Sequence, residues 1–121
     1  MRKILGLVVV ILIVANINAD VANSNGGILF TYDDANASQV SIAGSLNEWN
    51  SEKDKLEKDA NGIWSIKMRL SEGMHTYKFV VDGNWNFDQT NPDFEDDGYG
   101  GSNSVIHVDA DRKLVKSSAV K

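Results

Sequence analysis

The sequence predicts an all-β fold, an antiparallel β-sandwich of immunoglobulin-like type, preceded by a signal peptide. Three observations carry this. At least six segments alternate apolar and polar residues with period two, the repeat of a strand that buries one face. Gly, Asn and Asp separate them at short intervals, as tight turns between antiparallel neighbours require. Beyond residue 19 no stretch carries the apolar spacing of an amphipathic helix.

Residues 1–19 have the order of an export signal. Arg2 and Lys3 precede an apolar run from Ile4 to Ala15, and Ile17-Asn18-Ala19 resembles a cleavage site. The run is 12 residues long, whereas a bilayer span takes roughly 20. Cleavage after Ala19 is therefore expected, with retention as an N-terminal anchor as the alternative, and the protein is placed in the periplasm or outside the cell. Residues 20–26 are expected to be a flexible lead-in ending in Asn23-Ser24-Asn25-Gly26. The sandwich should occupy residues 27–109. Ile28, Phe30 and Tyr32 share one strand face before the turn Asp33-Asp34-Ala35-Asn36. Val40 and Ile42 share the next, which ends at Gly44. Trp64, Ile66, Met68 and Leu70 line one side of a run whose other side is Ser65, Lys67 and Arg69. After Ser71-Glu72-Gly73, a strand over 74–82 sets His75, Tyr77, Phe79 and Val81 against Thr76, Lys78 and Val80. Asp82-Gly83-Asn84 turns it into a hairpin partner at 84–87. Ser104, Ile106 and Val108 close the set, and residues 110–121 read as a polar tail.

Composition narrows the function. Losing residues 1–19 removes Arg2 and Lys3 from the 12 basic residues and none of the 17 acidic ones, so the net charge falls from −5 to −7. Such a surface repels nucleic acid and anionic lipid. No cysteine is present, so neither disulfides nor thiol chemistry is available. The histidines are His75 and His107, and His75 shares the apolar face of Tyr77 and Phe79. Nucleophilic catalysis therefore has no base. A carboxylate-pair glycosidase needs a cleft that holds two carboxyls at a fixed separation, which a sandwich this small seldom offers. No enzyme activity and no cofactor are expected.

One acidic run invites a calcium reading. Asp93, Glu95, Asp97 and Gly98 fall on loop positions 1, 3, 5 and 6, but position 12 is Ser104 where a bidentate glutamate is needed, and no helices flank the loop. The run reads as a solvated loop, and no metal is expected. The tryptophans are more informative. Trp64 shares parity with Ile66 and Met68 and belongs to the core. Trp49 lies in the polar loop Gly44-Ser45-Leu46-Asn47-Glu48-Trp49-Asn50, and Trp85 flanks a turn. A loop indole either folds back onto its domain or meets a ligand. Flat indoles rimmed by polar groups suit sugar rings, which have an apolar C–H face and a hydroxyl edge.

That loop, the stretch Glu72-Gly73-Met74-His75-Thr76-Tyr77-Lys78-Phe79-Val80-Val81-Asp82-Gly83-Asn84-Trp85, and Asn103-Ser104-Val105-Ile106 together resemble the family 48 carbohydrate-binding module. This is the glycogen-binding domain of AMP-activated kinase β subunits, also found ahead of the catalytic barrel of branching and debranching enzymes. The resemblance runs from about Gly27 to Val108. It implies an early-set immunoglobulin-like sandwich that binds α-1,4-linked glucan without catalysis. In the glycogen-binding members two tryptophans stack on glucose units, which assigns that role to Trp49 and Trp85. A lysine and an asparagine bond sugar hydroxyls, which carries over to Lys78 and Asn103. Where kinase-type members have leucine, then glycine and threonine, this chain has Tyr99, Gly100 and Gly101. The threonine hydroxyl is thus missing, and Tyr99 becomes a third aromatic platform. Lys78 is expected to donate hydrogen bonds, with no buried partner left behind on its truncation. The expected partner is an α-glucan, with a glucan-active enzyme or an envelope protein as further candidates. The alternative is an exported protein-interaction module that keeps the fold without binding glucan.

Overall fold

The computed structural model describes residues 18–115, so all but the last two residues of the expected signal peptide lie outside it. Eleven strands follow in chain order: β1 Asn18–Ser24, β2 Gly27–Asp33, β3 Val40–Gly44, β4 Asp54–Lys55, β5 Glu57–Lys58, β6 Ile63–Met68, β7 Gly73–Val81, β8 Asn84–Asn86, β9 Phe94–Asp96, β10 Ser102–Val108 and β11 Leu114–Val115. Among the described residues there is no α-helix, only a 3-10 turn at Ser45–Asn47. Nor is any helix there long and apolar enough to cross a membrane.

All pairings are antiparallel. One sheet has the order β1-β2-β6-β5, and the other β11-β10-β7-β3-β4, with β8 beside β7 and β9 beside β10. Period two explains how they pack. Ile28, Phe30 and Tyr32 turn their side chains to one face of β2, and all three are buried. Across the core they meet Tyr77 and Phe79 of β7. The Phe30 and Tyr77 rings touch edge to face at 5.3 Å, and Tyr32 and Phe79 lie 5.0 Å apart. The two sheets thus face each other over one core, to which Val40, Ile42, Trp64, Ile106 and Val108 also contribute.

A buried polar knot sits within this core. Asp88 is 2 % exposed. Its carboxylate accepts from the Tyr77 hydroxyl at 2.8 Å, and from the Thr90 hydroxyl and amide at 2.6 and 3.0 Å. The Asp88 amide donates to Ser104 Oγ at 2.7 Å. With every group paired, the knot fixes the 87–93 connection instead of destabilising it. Burial, and then the charge of Asp88, push the Tyr77 phenol above its ordinary range.

Two terminal segments differ from expectation. The lead-in is strand β1, paired along its whole length with β2, from Asn18↔Asp33 to Ser24↔Gly27. Val21 is its one large aliphatic residue, so no alternation betrays it; backbone pairing and small side chains build it. The polar tail begins as β11, where Val115 and Leu114 pair with His107 and Val108. The expected cleavage point after Ala19 therefore falls inside a paired strand. Ala19 is buried in the core cluster, and its carbonyl, 2.8 Å from Thr90 Oγ1, shares that hydroxyl's single proton with the Asp88 carboxylate. A chain that starts at Asp20 loses that packing and the Ala19 acceptor, while Thr90 keeps its bond to Asp88, a cost of about 1 kcal/mol. Its melting temperature should lie about 4–8 °C below that of a chain retaining Asn18 and Ala19, which thermal unfolding of the two forms checks.

Candidate functional site

The outer face of the larger sheet carries the side chains that the core-facing parity rejects. On β7, Tyr77, Phe79 and Val81 enter the core, so Thr76, Lys78 and Val80 point the other way. Ala43 of β3 pairs with Lys78, and Trp85 of β8 pairs with Val80. Asn103 of β10 precedes Ser104, the residue paired with Tyr77. Trp49, Lys78, Trp85, Tyr99 and Asn103, the five residues singled out from the sequence, line one open groove of about 500 Å³ together with Asp97.

Each tryptophan is presented by a locally determined turn. Trp49 and the preceding Glu48 both lie in the left-handed region, at φ 60° and 59°. Neither is a glycine, and such residues cost roughly 1–3 kcal/mol each unless their surroundings impose the conformation. Asn47 imposes it here. Buried beneath the loop, its carboxamide oxygen accepts from the Gly44 amide at 3.0 Å, and its nitrogen donates to the Ile42 carbonyl and to Asp54, both at 2.9 Å. The Trp49 amide closes the loop on the Gly44 carbonyl at 2.8 Å. Gly44 itself has no room for a side chain, since a Cβ there would overlap the Thr76 carbonyl. Trp85 follows the hairpin Asp82-Gly83, whose φ values of 50° and 87° are the pair of positive angles a two-residue hairpin turn prefers. The Asp82 carboxylate ties that turn to the neighbouring loop, accepting from the Ser38 and Gln39 amides, each at 2.9 Å.

So held, the two indoles stand side by side. Their ring centroids are 6.5 Å apart, their planes differ by 29°, and they are 39 % and 45 % exposed. This is a broad apolar platform at the surface, unlike Trp64, which is buried with its Nε1 donating to the Asp34 carbonyl at 2.9 Å. Tyr99 is 94 % exposed at the tip of the 97–101 loop, where it lines the groove.

Lys78 departs from expectation. Its ammonium donates to Asp97 Oδ2 at 2.8 Å, and the two side chains are 17 % and 10 % exposed. Truncating Lys78 therefore does strand a partner. Asp97 was legible only as one member of an acidic run, yet its other oxygen accepts from the Tyr99 and Gly101 amides at 2.7 and 2.9 Å. The Lys78 hydrogen bond first, then those two amides, hold the Asp97 carboxyl down to about 2. Because this value is depressed, the stabilisation by the ionised form is complete above the ordinary carboxylate value of 3.8 and fades only as pH falls from there to about 2. The groove should keep its form across the neutral and mildly acidic range. No group of three or more metal-ligating side chains occurs among the described residues. Asp93 and Glu95 lie outside the groove lining.

The family model described as the glycogen recognition site of AMP-activated protein kinase matches residues 27–114. The chain is 34 % identical over 70 residues to Protein PTST homolog 2, chloroplastic, of Arabidopsis thaliana, covering 58 % of this chain and 13 % of that protein. It is 35 % identical over 72 residues to Protein FLOURY ENDOSPERM 6, chloroplastic, of Oryza sativa subsp. japonica, covering 60 % and 13 %. Against the 5'-AMP-activated protein kinase subunit beta-2 of Mus musculus it is 43 % identical over 70 residues, covering 58 % and 25 %. The chain thus spans between an eighth and a quarter of the length of these relatives.

Proposed function

Since this chain belongs to the family of the glycogen recognition site of AMP-activated protein kinase, we propose that it is a non-catalytic module that binds α-1,4-linked glucan. The observation that carries the reading is the pair of near-parallel, half-exposed indoles of Trp49 and Trp85 beside Lys78 and Asn103 in one groove. Indole faces take the C–H faces of glucose units, and the polar side chains along the groove take hydroxyls. Tyr99 supplies a third face. The two-sheet packing and the family membership support an early-set immunoglobulin-like assignment. The apolar run after Arg2 and Lys3 supports export to the periplasm or the cell exterior, which fractionation of cells producing the protein tests.

Affinity should be modest. Each stacked indole hides on the order of 100 Å² of apolar surface, worth about 2–3 kcal/mol. Two such contacts, less the cost of association, give a dissociation constant of about 10 µM to 1 mM. The ligand is uncharged, so binding should change little between low and high salt. Titration with maltoheptaose at two ionic strengths checks both statements. A steep loss with salt points instead to a charged partner. A parent protein indifferent to starch and glycogen would favour a protein-interaction module, a reading that the 59 % exposed Phe94, packed on Phe87 outside the groove lining, also supports.

A further inference from the structure

We infer that Asp97 is a positioning and specificity residue of the groove, which sets the Lys78 ammonium and the Tyr99 loop in place and keeps an acceptor site open for a ligand hydroxyl. The inference rests on the glucan-binding reading and adds to it the group that organises the site.

A carboxylate offers about four lone-pair sites. Oδ1 of Asp97 accepts from the amides of Tyr99 and Gly101, so both of its sites are filled. Oδ2 accepts from Lys78, which leaves one site. The ammonium has three donors, and its bond to Asp97 uses one. What the pair presents to the groove is therefore one acceptor next to two donors. A hydroxyl both donates and accepts, so neighbouring hydroxyls on one sugar ring match this pattern. An anionic sugar, or one whose hydroxyls are capped, does not match, because the free site on Asp97 can only accept.

The same carboxylate explains how a fully exposed tyrosine can serve as a platform. Tyr99 has almost no side-chain packing to hold it. Its loop is closed at the base by the hydrogen bonds that the Tyr99 and Gly101 amides donate to the Asp97 carboxylate, and by the Asp97 amide, which donates to the Gly101 carbonyl at 3.1 Å. One residue thus couples a strand position on β7 to a loop 19 residues later. Removing it should loosen both.

The test uses Asp97→Asn, Asp97→Ala and Lys78→Met, singly and combined, with two readouts. The first is maltoheptaose affinity. Asp97→Asn keeps an acceptor for the Tyr99 and Gly101 amides but sets an NH2 donor against the ammonium, and affinity should fall several-fold. Asp97→Ala removes all three side-chain hydrogen bonds and should lower affinity at least tenfold. Once Lys78 is methionine, Asp97→Asn should have a clearly smaller effect, the non-additivity expected of a shared contact. The second readout is hydrogen exchange at the Tyr99 and Gly101 amides in the free protein. It should be slow in the parent and in Asp97→Asn, and fast in Asp97→Ala. Unchanged exchange in Asp97→Ala, or fully additive losses with Lys78→Met, would overturn the inference. Failure of the parent to bind maltoheptaose overturns the glucan reading instead, and the exchange readout still tests the hold of Asp97 on its loop.

Discussion

Trp64→Ala is expected to cost about 3–5 kcal/mol and to leave a protein that folds poorly. The indole is 7 % exposed, pairs across the sheet with Tyr32, and carries the Lys58 ammonium 5.4 Å from its ring centroid. Truncation leaves a void in the core and removes the shorter of the two hydrogen bonds to the Asp34 carbonyl, leaving the Ala37 amide at 3.3 Å. Small domains have about 5–15 kcal/mol of stability in all, so this single change takes a large share of it. Thermal melts should show a midpoint lowered by more than 10 °C. Any loss of glucan binding by this variant would follow from unfolding. A melt within a few degrees of the parent would mean that the core tolerates the void.

Trp85→Ala and Trp49→Ala should behave in the opposite way. The two indoles stack on each other, a contact worth about 0.5–1.5 kcal/mol, and the hairpin and loop beneath are held by the hydrogen bonds of Asp82 and Asn47. The melting midpoint should therefore drop by only a few degrees. Binding should suffer far more. Losing about 2–3 kcal/mol of stacking corresponds to roughly 30- to 150-fold weaker affinity, enough to abolish retention on insoluble starch. If Trp85→Ala melted like Trp64→Ala, the indole would be pinning its hairpin instead of offering a face to the ligand.

What could be read from the chain depended on how local the signal was. Strands β2, β6, β7 and β10 announce themselves because each buries one face, and alternation encodes that directly in residues such as Phe30, Trp64, Tyr77 and Ile106. Strand β1 has Val21 as its one large apolar residue and exists through its pairing with β2, which no short window contains. The groove shows the same divide. Trp49, Trp85, Lys78 and Asn103 sit in motifs with recognisable order, and the fold gathers them on one face. Asp97 sits in an acidic run where nothing marks it from its neighbours; its meaning comes from Lys78, 19 residues earlier. Asp88 was equally silent, since its partners Tyr77 and Ser104 lie 11 and 16 residues away. Asn47 stood within a motif, but its role under the Trp49 loop appears only once the chain has turned back on Gly44.

Affinity electrophoresis in gels with and without glycogen, run beside thermal melts, tests the central claim most directly. The parent should be retarded by glycogen to the same degree at low and high salt. Trp49→Ala and Trp85→Ala should run unretarded while still melting close to the parent. A parent that glycogen does not slow, or folded Trp49→Ala and Trp85→Ala variants slowed as much as the parent, would contradict the assignment of the groove as a glucan site.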